Sequence, residues 1–196
     1  MNAEPSIRRE IREGDMEAIV AHHGRLYSEE HGVDEDFERM VASAVARSLD
    51  RGFPGEREGI WLVELDGRHA GSLALTDEGD GEAAVRWFVL DRELRGLGLG
   101  RRMLDELLAT AGALGYERVW LETFSDLRAA AHLYRDRGFE LVSCEESPRW
   151  GRERIAYQRY ELELSSDTAT SLRALGRAVP RRGRLSQIRA TARHGK

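Results

Sequence analysis

The residues of this chain best suited to chemistry on a ligand form one short run, Arg95-Gly96-Leu97-Gly98-Leu99-Gly100. Three alternating glycines let a backbone approach a ligand without interference from Cβ atoms. The run follows an apolar, strand-like stretch and leads into one with helical spacing. Its free N–H groups and the positive end of a helix then converge on one point, which suits a pyrophosphate. Arg95, Arg101 and Arg102 add positive charge nearby, and Arg92 and Arg101 read as phosphate contacts rather than structural ion pairs. A dinucleotide-binding G-x-G-x-x-G does not fit: counted from Gly96 its last glycine is replaced by Arg101, and counted from Gly98 by Met103. A G-K-[ST] phosphate loop needs a lysine, and this stretch has none.

The pattern that fits is R-x-x-G-x-G. A second, A-x-x-L-Y-x-x-x-G-F, follows unbroken as Ala130-Ala131-His132-Leu133-Tyr134-Arg135-Asp136-Arg137-Gly138-Phe139. With the two in this order, the chain resembles the GNAT superfamily of acyl-CoA-dependent N-acetyltransferases over about residues 7–164. The resemblance implies a mixed α/β (α+β) fold, with a mostly antiparallel central sheet and helices on both faces. It implies acetyl-CoA as co-substrate, no metal, and direct transfer of the acetyl group to a primary amine while both substrates are bound. On this likeness Phe88, Val89 and Leu90 align the pantetheine arm through backbone hydrogen bonds, as an added strand would. Arg95, Gly96, Leu97, Gly98, Leu99, Gly100 and Arg101 hold the pyrophosphate. Tyr134 falls on the family's tyrosine, and a phenol of pKa ~10 is a sensible proton donor to a leaving thiolate of pKa ~8.5. Its competing role is a ring packed between helix and sheet. The base that deprotonates the amine stays open among Glu82, Glu122, Asp126 and a water chain. One departure is Leu127, where many members carry asparagine seven residues before the tyrosine; it puts a contact to the pantetheine arm in doubt but leaves the phosphate site. The stretch LYSEEHGVDEDFERMVASAVARSL and the ending ELEL are also similar to the acetyltransferase half of proteins that fuse a MarR-type regulator to a GNAT domain.

The elements that must position these residues follow from periodicity. Residues 7–11 read as a short opening strand, and Asp15 as the cap of a helix carrying Met16, Ile19, Val20 and Leu26. Asp34 or Asp36 starts a second helix, with Phe37, Met40, Val41, Ala44, Val45 and Leu49 on one face. The period then changes to that of strands over residues 60–65 and 70–76, with the hairpin signal Asp66-Gly67 between them. A turn over residues 77–81 leads into a fourth strand, 83–90, then the glycine run and a helix from about 99 to 114. A fifth strand (119–124), a helix capped by Asp126 (127–137) and two closing strands (139–143 and 155–164) complete the order. His22, His23 and His31, with Tyr27, Glu29 and Glu30, lie where the family places its acceptor-site helices; without a matching motif they read as surface residues.

Composition bounds the rest. The 196 residues are 41% hydrophobic and 33% charged, an ordinary balance for one soluble globular domain. No apolar run approaches the ~20 residues of a membrane span, and the charged N-terminus lacks a secretory pattern, so a cytoplasmic protein is expected. Cys144 is the only cysteine, which excludes an intrachain disulfide and a Cys-rich metal site; it reads as a small buried hydrophobe. The net charge of −5 hides an asymmetry: residues 165–196 hold eight cations against Asp167 alone, a balance of +7 that leaves −12 on residues 1–164. The division is therefore an acetyltransferase-like domain over 1–164 and a basic appendage over 165–196, with a marginal helix before Pro180 and a solvated remainder. The expected partner is a small-molecule or peptide amine, with a homodimer left open. The competing class is a non-catalytic acyl-CoA sensor, or a nucleic-acid-associated module using the tail. The tail's +7 suits phosphates, but aromatic interleaving and a reading helix are missing.

Overall fold

The structure, a computed structural model, describes residues 4–164. The basic appendage expected over 165–196 lies outside the described residues. Seven strands and four helices follow in the order β1 (Ser6–Arg8), α1 (Asp15–His31), α2 (Glu35–Asp50), β2 (Gly59–Leu65), β3 (Arg68–Gly79), β4 (Glu82–Leu90), α3 (Leu99–Ala113), β5 (Arg118–Phe124), α4 (Arg128–Asp136), β6 (Glu140–Arg149) and β7 (Arg152–Glu163). This is the order read from the sequence, and the mixed, mostly antiparallel sheet with helices on both faces is the expected fold. The strands form one sheet in the order β1-β2-β3-β4-β5-β7-β6, antiparallel throughout except between β4 and β5.

Alternation along the strands divides the core between the two faces. One cluster joins Val63, Leu73, Val85, Val119 and Leu121 of the sheet to Met103, Leu104, Leu107, Leu108 and Ala111 of α3, all five of which are fully buried. The other joins Leu62, Ala74 and Phe124 to Met16 and Ile19 of α1 and to Phe37, Val41 and Val45 of α2. Among the described residues, no helix is long and apolar enough to cross a membrane.

Several local expectations shift. Asp15 does not cap α1 but is its first residue: Gly14 caps it in a left-handed conformation, φ 87°, while the Asp15 carboxylate bonds to Arg8 and to the Arg12 N–H. Asp34 does cap α2, its Oδ1 accepting the Asp36 N–H at 3.0 Å. Asp126 does not cap α4; Leu127 precedes that helix, and the Asp126 carboxylate pairs with Arg152 instead. Strands β3, β6 and β7 run longer than their apolar cores, because ladder hydrogen bonds carry polar residues past the point where hydrophobic alternation stops. Cys144 stands exposed on the edge strand β6 rather than buried.

Candidate active site

Strands β4 and β5 pair only over Glu82–Ala84 against Arg118–Trp120, and then part. Beyond Ala84 the β5-facing backbone edge of β4 has no strand partner among the described residues. A bulge accompanies the divergence. Ser72 pairs with Val89 and Ala74 with Arg86, so β4 carries one residue more than β3 opposite Leu73. Trp87, in the bulge, has φ 48°, a left-handed conformation that costs a bulky residue of order 1–3 kcal/mol. Two contacts over-determine it: the Ser72 hydroxyl donates to the Trp87 carbonyl at 2.6 Å, and the indole meets Phe53 edge-on at 5.2 Å. The indole Nε1 is buried without a hydrogen-bond partner among the described residues. Sequence reading passed over Ser72 and Trp87, because a bulge leaves no local pattern when both strands are apolar.

The divergence opens a cleft of about 710 Å³. The glycine run lies at its rim. Gly96 (φ 74°) and Gly98 (φ 79°) are left-handed, and a Cβ on either would meet no atom within 4 Å. Gly98 also caps α3, and the first intrahelical bond, from Arg102 N to Gly98 O at 3.0 Å, leaves the first N–H groups of α3 without intrahelical partners. Gly100 has a different task. A Cβ there would lie 3.3 Å from Leu90 Cδ1 and 3.4 Å from Phe88 Cζ, so its absence lets α3 close on β4.

The arginines of the run are largely engaged by protein carboxylates. Arg95 Nε donates to the Leu90 carbonyl at 2.9 Å and Arg95 Nη1 to Glu30 at 2.7 Å. Arg92 Nε donates to Glu30 at 2.8 Å, outside the cleft lining, and Arg101 pairs with Asp136 at 2.9 Å. Burial pushes the Glu30 carboxyl up, but the hydrogen bonds from Arg95 and Arg92 outweigh it and hold the group below its ordinary range. Glu30 thus ties the end of α1 to the glycine run. Leu97 points outward, 71% exposed.

Tyr134, on α4, lines the cleft while only 5% exposed. Its ring packs against Phe88, Phe139 and Tyr160 at centroid distances of 6.4, 5.9 and 6.1 Å. Burial raises the pKa of its hydroxyl well above the usual phenol value. Phe88, Val89 and Leu90 line the cleft as well. Of the three carboxylates weighed as base, Glu122 and Asp126 do so too. Glu122 accepts the Tyr157 hydroxyl at 3.1 Å, while Arg152 donates to Asp126 at 2.5 Å and holds its carboxyl low. Glu82 sits at the closed end of the β4–β5 pair, bonded to Arg118 at 2.7 Å, and is absent from the cleft wall.

The opposite wall corrects the surface reading of α1. His22 and His23 are each 5% exposed, and Tyr27 lines the cleft, stacked on Phe37 at 4.7 Å and edge-on to Phe124 at 5.7 Å. Burial pushes the Tyr27 phenol up to about 12. The spacing Val20–His23–Tyr27–His31 was available as a signal, yet it is too mixed in polarity to read as a buried stripe.

The fold is thus a sheet parted between two parallel strands, with a left-handed glycine turn at the mouth of the gap. The chain belongs to the acetyltransferase (GNAT) family, whose model matches residues 18–139. Among curated relatives, "Probable N-acetyltransferase camello" of Xenopus tropicalis is 28% identical over 144 residues, covering 70% of this chain. The matched region spans 64% of that relative's length. Among solved structures, an acetyltransferase from Streptococcus agalactiae superposes with a TM-score of 0.66 at 18% identity, covering 82% of this chain and 98% of that one. An N-acetyltransferase from Staphylococcus aureus Mu50 superposes at 0.64 and 17% identity, covering 83% and 100%.

Proposed function

We propose that the protein transfers an acetyl group from acetyl-CoA to a primary amine by direct attack within a ternary complex. The observation that carries this reading is the cleft between β4 and β5, flanked by two left-handed glycines facing open space and walled by Tyr134. The residues present fit such a donor. The unpaired edge of β4 offers backbone groups to an extended pantetheine arm, and the first N–H groups of α3 offer donors to a pyrophosphate. The buried Trp87 Nε1–H is one further donor in want of an acceptor.

In this reading the amine attacks the thioester carbonyl, the C–N bond forms and the C–S bond breaks. A β4 backbone N–H supports the charge gathering on the carbonyl oxygen. Tyr134 gives its proton to the departing thiolate; burial keeps the phenol protonated across the neutral range. The amine's surplus proton passes to Glu122, directly or through water, for Glu122 is the cleft carboxylate not held by an arginine within 3.5 Å. A cytoplasmic setting belongs to the same proposal, as does the likeness of residues 26–49 to the acetyltransferase half of regulator fusions. The test is thiol release from acetyl-CoA over a panel of amines, with the acetylated product identified by mass. Salt-sensitive DNA binding without turnover is the result expected of the rival binding module instead.

A further inference from the structure

The wall facing the sheet narrows the choice of amine. Helix α2 turns Phe37, Met40, Val41, Ala44 and Arg47 toward the cleft, a spacing that keeps them on one helical face. From Phe37 to Arg47 this stripe runs about 15 Å at 1.5 Å per residue. Phe37 and Val41 are core, but Met40 is 37% exposed and Arg47 is exposed, so the stripe opens to solvent at its outer end. At its inner end the rings continue across the cleft: Phe37 meets Trp150 at 5.0 Å, and Trp150 meets Tyr157 at 5.9 Å. Such a surface complements an apolar or aromatic group near the amine.

The charges on this wall are unequal. Glu30 is engaged by Arg92 and Arg95, and Asp126 by Arg152, so each is already neutralised. Glu122 remains, with Arg86 Nη1 3.9 Å away. Arg86 is shared with Glu78 at 3.3 Å and lies over the Trp120 ring at 4.4 Å. Arg47, ending the stripe, has no carboxylate within ion-pair distance among the described residues. A polyamine would bring several cations to one available carboxylate and two arginines. An amine with an anion some distance away meets a partner at each end.

We infer that the acceptor is the N-terminus of an extended peptide whose first residue is large and apolar and whose third or fourth residue is acidic, with Arg47 reading that acid. This rests on the acetyltransferase reading above. An extended chain gains about 3.3–3.6 Å per residue, so a carboxylate at position three or four reaches the far end of a 15 Å stripe, which a single amino acid cannot do.

The experiment uses the full chain with acetyl-CoA and four acceptors: Phe-Ala-Ala-Glu amide, its Gln counterpart, spermidine and free phenylalanine. Thiol release and product mass are followed. A charge-assisted hydrogen bond contributes enough for the Glu peptide to exceed the Gln peptide about tenfold or more in kcat/KM. Arg47→Gln, on an exposed helical position, should abolish that preference by raising KM for the Glu peptide alone, leaving its kcat and acetyl-CoA affinity unchanged. Equal turnover of the two peptides, an indifferent Arg47→Gln variant, or spermidine or phenylalanine as the better acceptor overturns the inference. Acetyl-CoA binding without acetylation of any peptide overturns it too, while leaving the enzyme reading to the wider amine panel. Absence of acetyl-CoA binding removes both.

Discussion

Gly98 and Gly14 form a matched pair that separates backbone strain from ligand contact. Each caps a helix in the left-handed region, Gly98 at φ 79° and Gly14 at φ 87°, and a Cβ on either meets no atom within 4 Å. Gly98→Ala and Gly14→Ala should therefore cost the same strain, about 1–2 kcal/mol for a left-handed L-residue. In a domain of this size that lowers Tm by about 2–4 °C per kcal/mol. Only Gly98 borders the cleft. A methyl group there stands where a pyrophosphate must approach the first N–H groups of α3. Loss of one or two charge-assisted bonds, each ~1.5–3 kcal/mol, corresponds to acetyl-CoA binding weakened by about 10- to 10⁴-fold. Thermal unfolding checks the matched strain, and isothermal titration calorimetry of acetyl-CoA checks the contrast. If folded Gly98→Ala binds acetyl-CoA as tightly as Gly14→Ala does, the glycine turn is a structural connection and the phosphate argument fails.

Tyr134→Phe should lower kcat by about 10²–10⁴-fold with little change in acetyl-CoA affinity, since it removes a proton donor and keeps the packed ring; near-full turnover would return Tyr134 to a packing role. Gly100→Val should narrow the cleft and destabilise the domain by about 1–3 kcal/mol, because its side chain runs into Leu90 and Phe88; unchanged chemical denaturation would show that α3 yields without cost. Acid should destabilise the α1 face. Burial lowers the His23 pKa from 6.5 to about 4, so the unfolded chain binds the proton first. That contribution is complete above pH 6.5 and is lost as pH falls toward 4, by up to about 3 kcal/mol at ~1.36 kcal/mol per pH unit. His22 and His69 shift in the same direction, near Asp15 and Asp91. Urea unfolding of the wild type and of His23→Gln between pH 4 and 7 should give a flatter stability profile for the variant; identical profiles would remove His23 from the account.

Much of the fold was legible because its signals are local. The hairpin at Asp66-Gly67 is specified by two residues with φ 53° and 75°, and the face of α3 by five apolar residues at helical spacing. The glycine run declared a backbone that must approach something, and that run followed by the motif around Tyr134 was enough to suggest the family. Other features depend on partners far away in sequence. Arg95 reads as a phosphate contact, but its pairing with Glu30, 65 residues before it, has no local sign. Asp126 looked like a helix cap, yet Arg152 claims its carboxylate. His22 and His23 read as surface because their polarity is local, whereas their burial comes from packing α1 against the sheet.

By itself, then, the sequence determined the order of elements, the turn geometry at its glycines and the residues able to donate or accept protons. Side-chain chemistry and backbone propensity act over a few residues, and those properties can be read in order along the chain. Tertiary structure alone decided which charges are neutralised, where β4 leaves β5, and that Trp87 bulges under the hydroxyl of Ser72. Each of these is set by pairing between separate segments, whose free energies depend on geometry that no local pattern encodes.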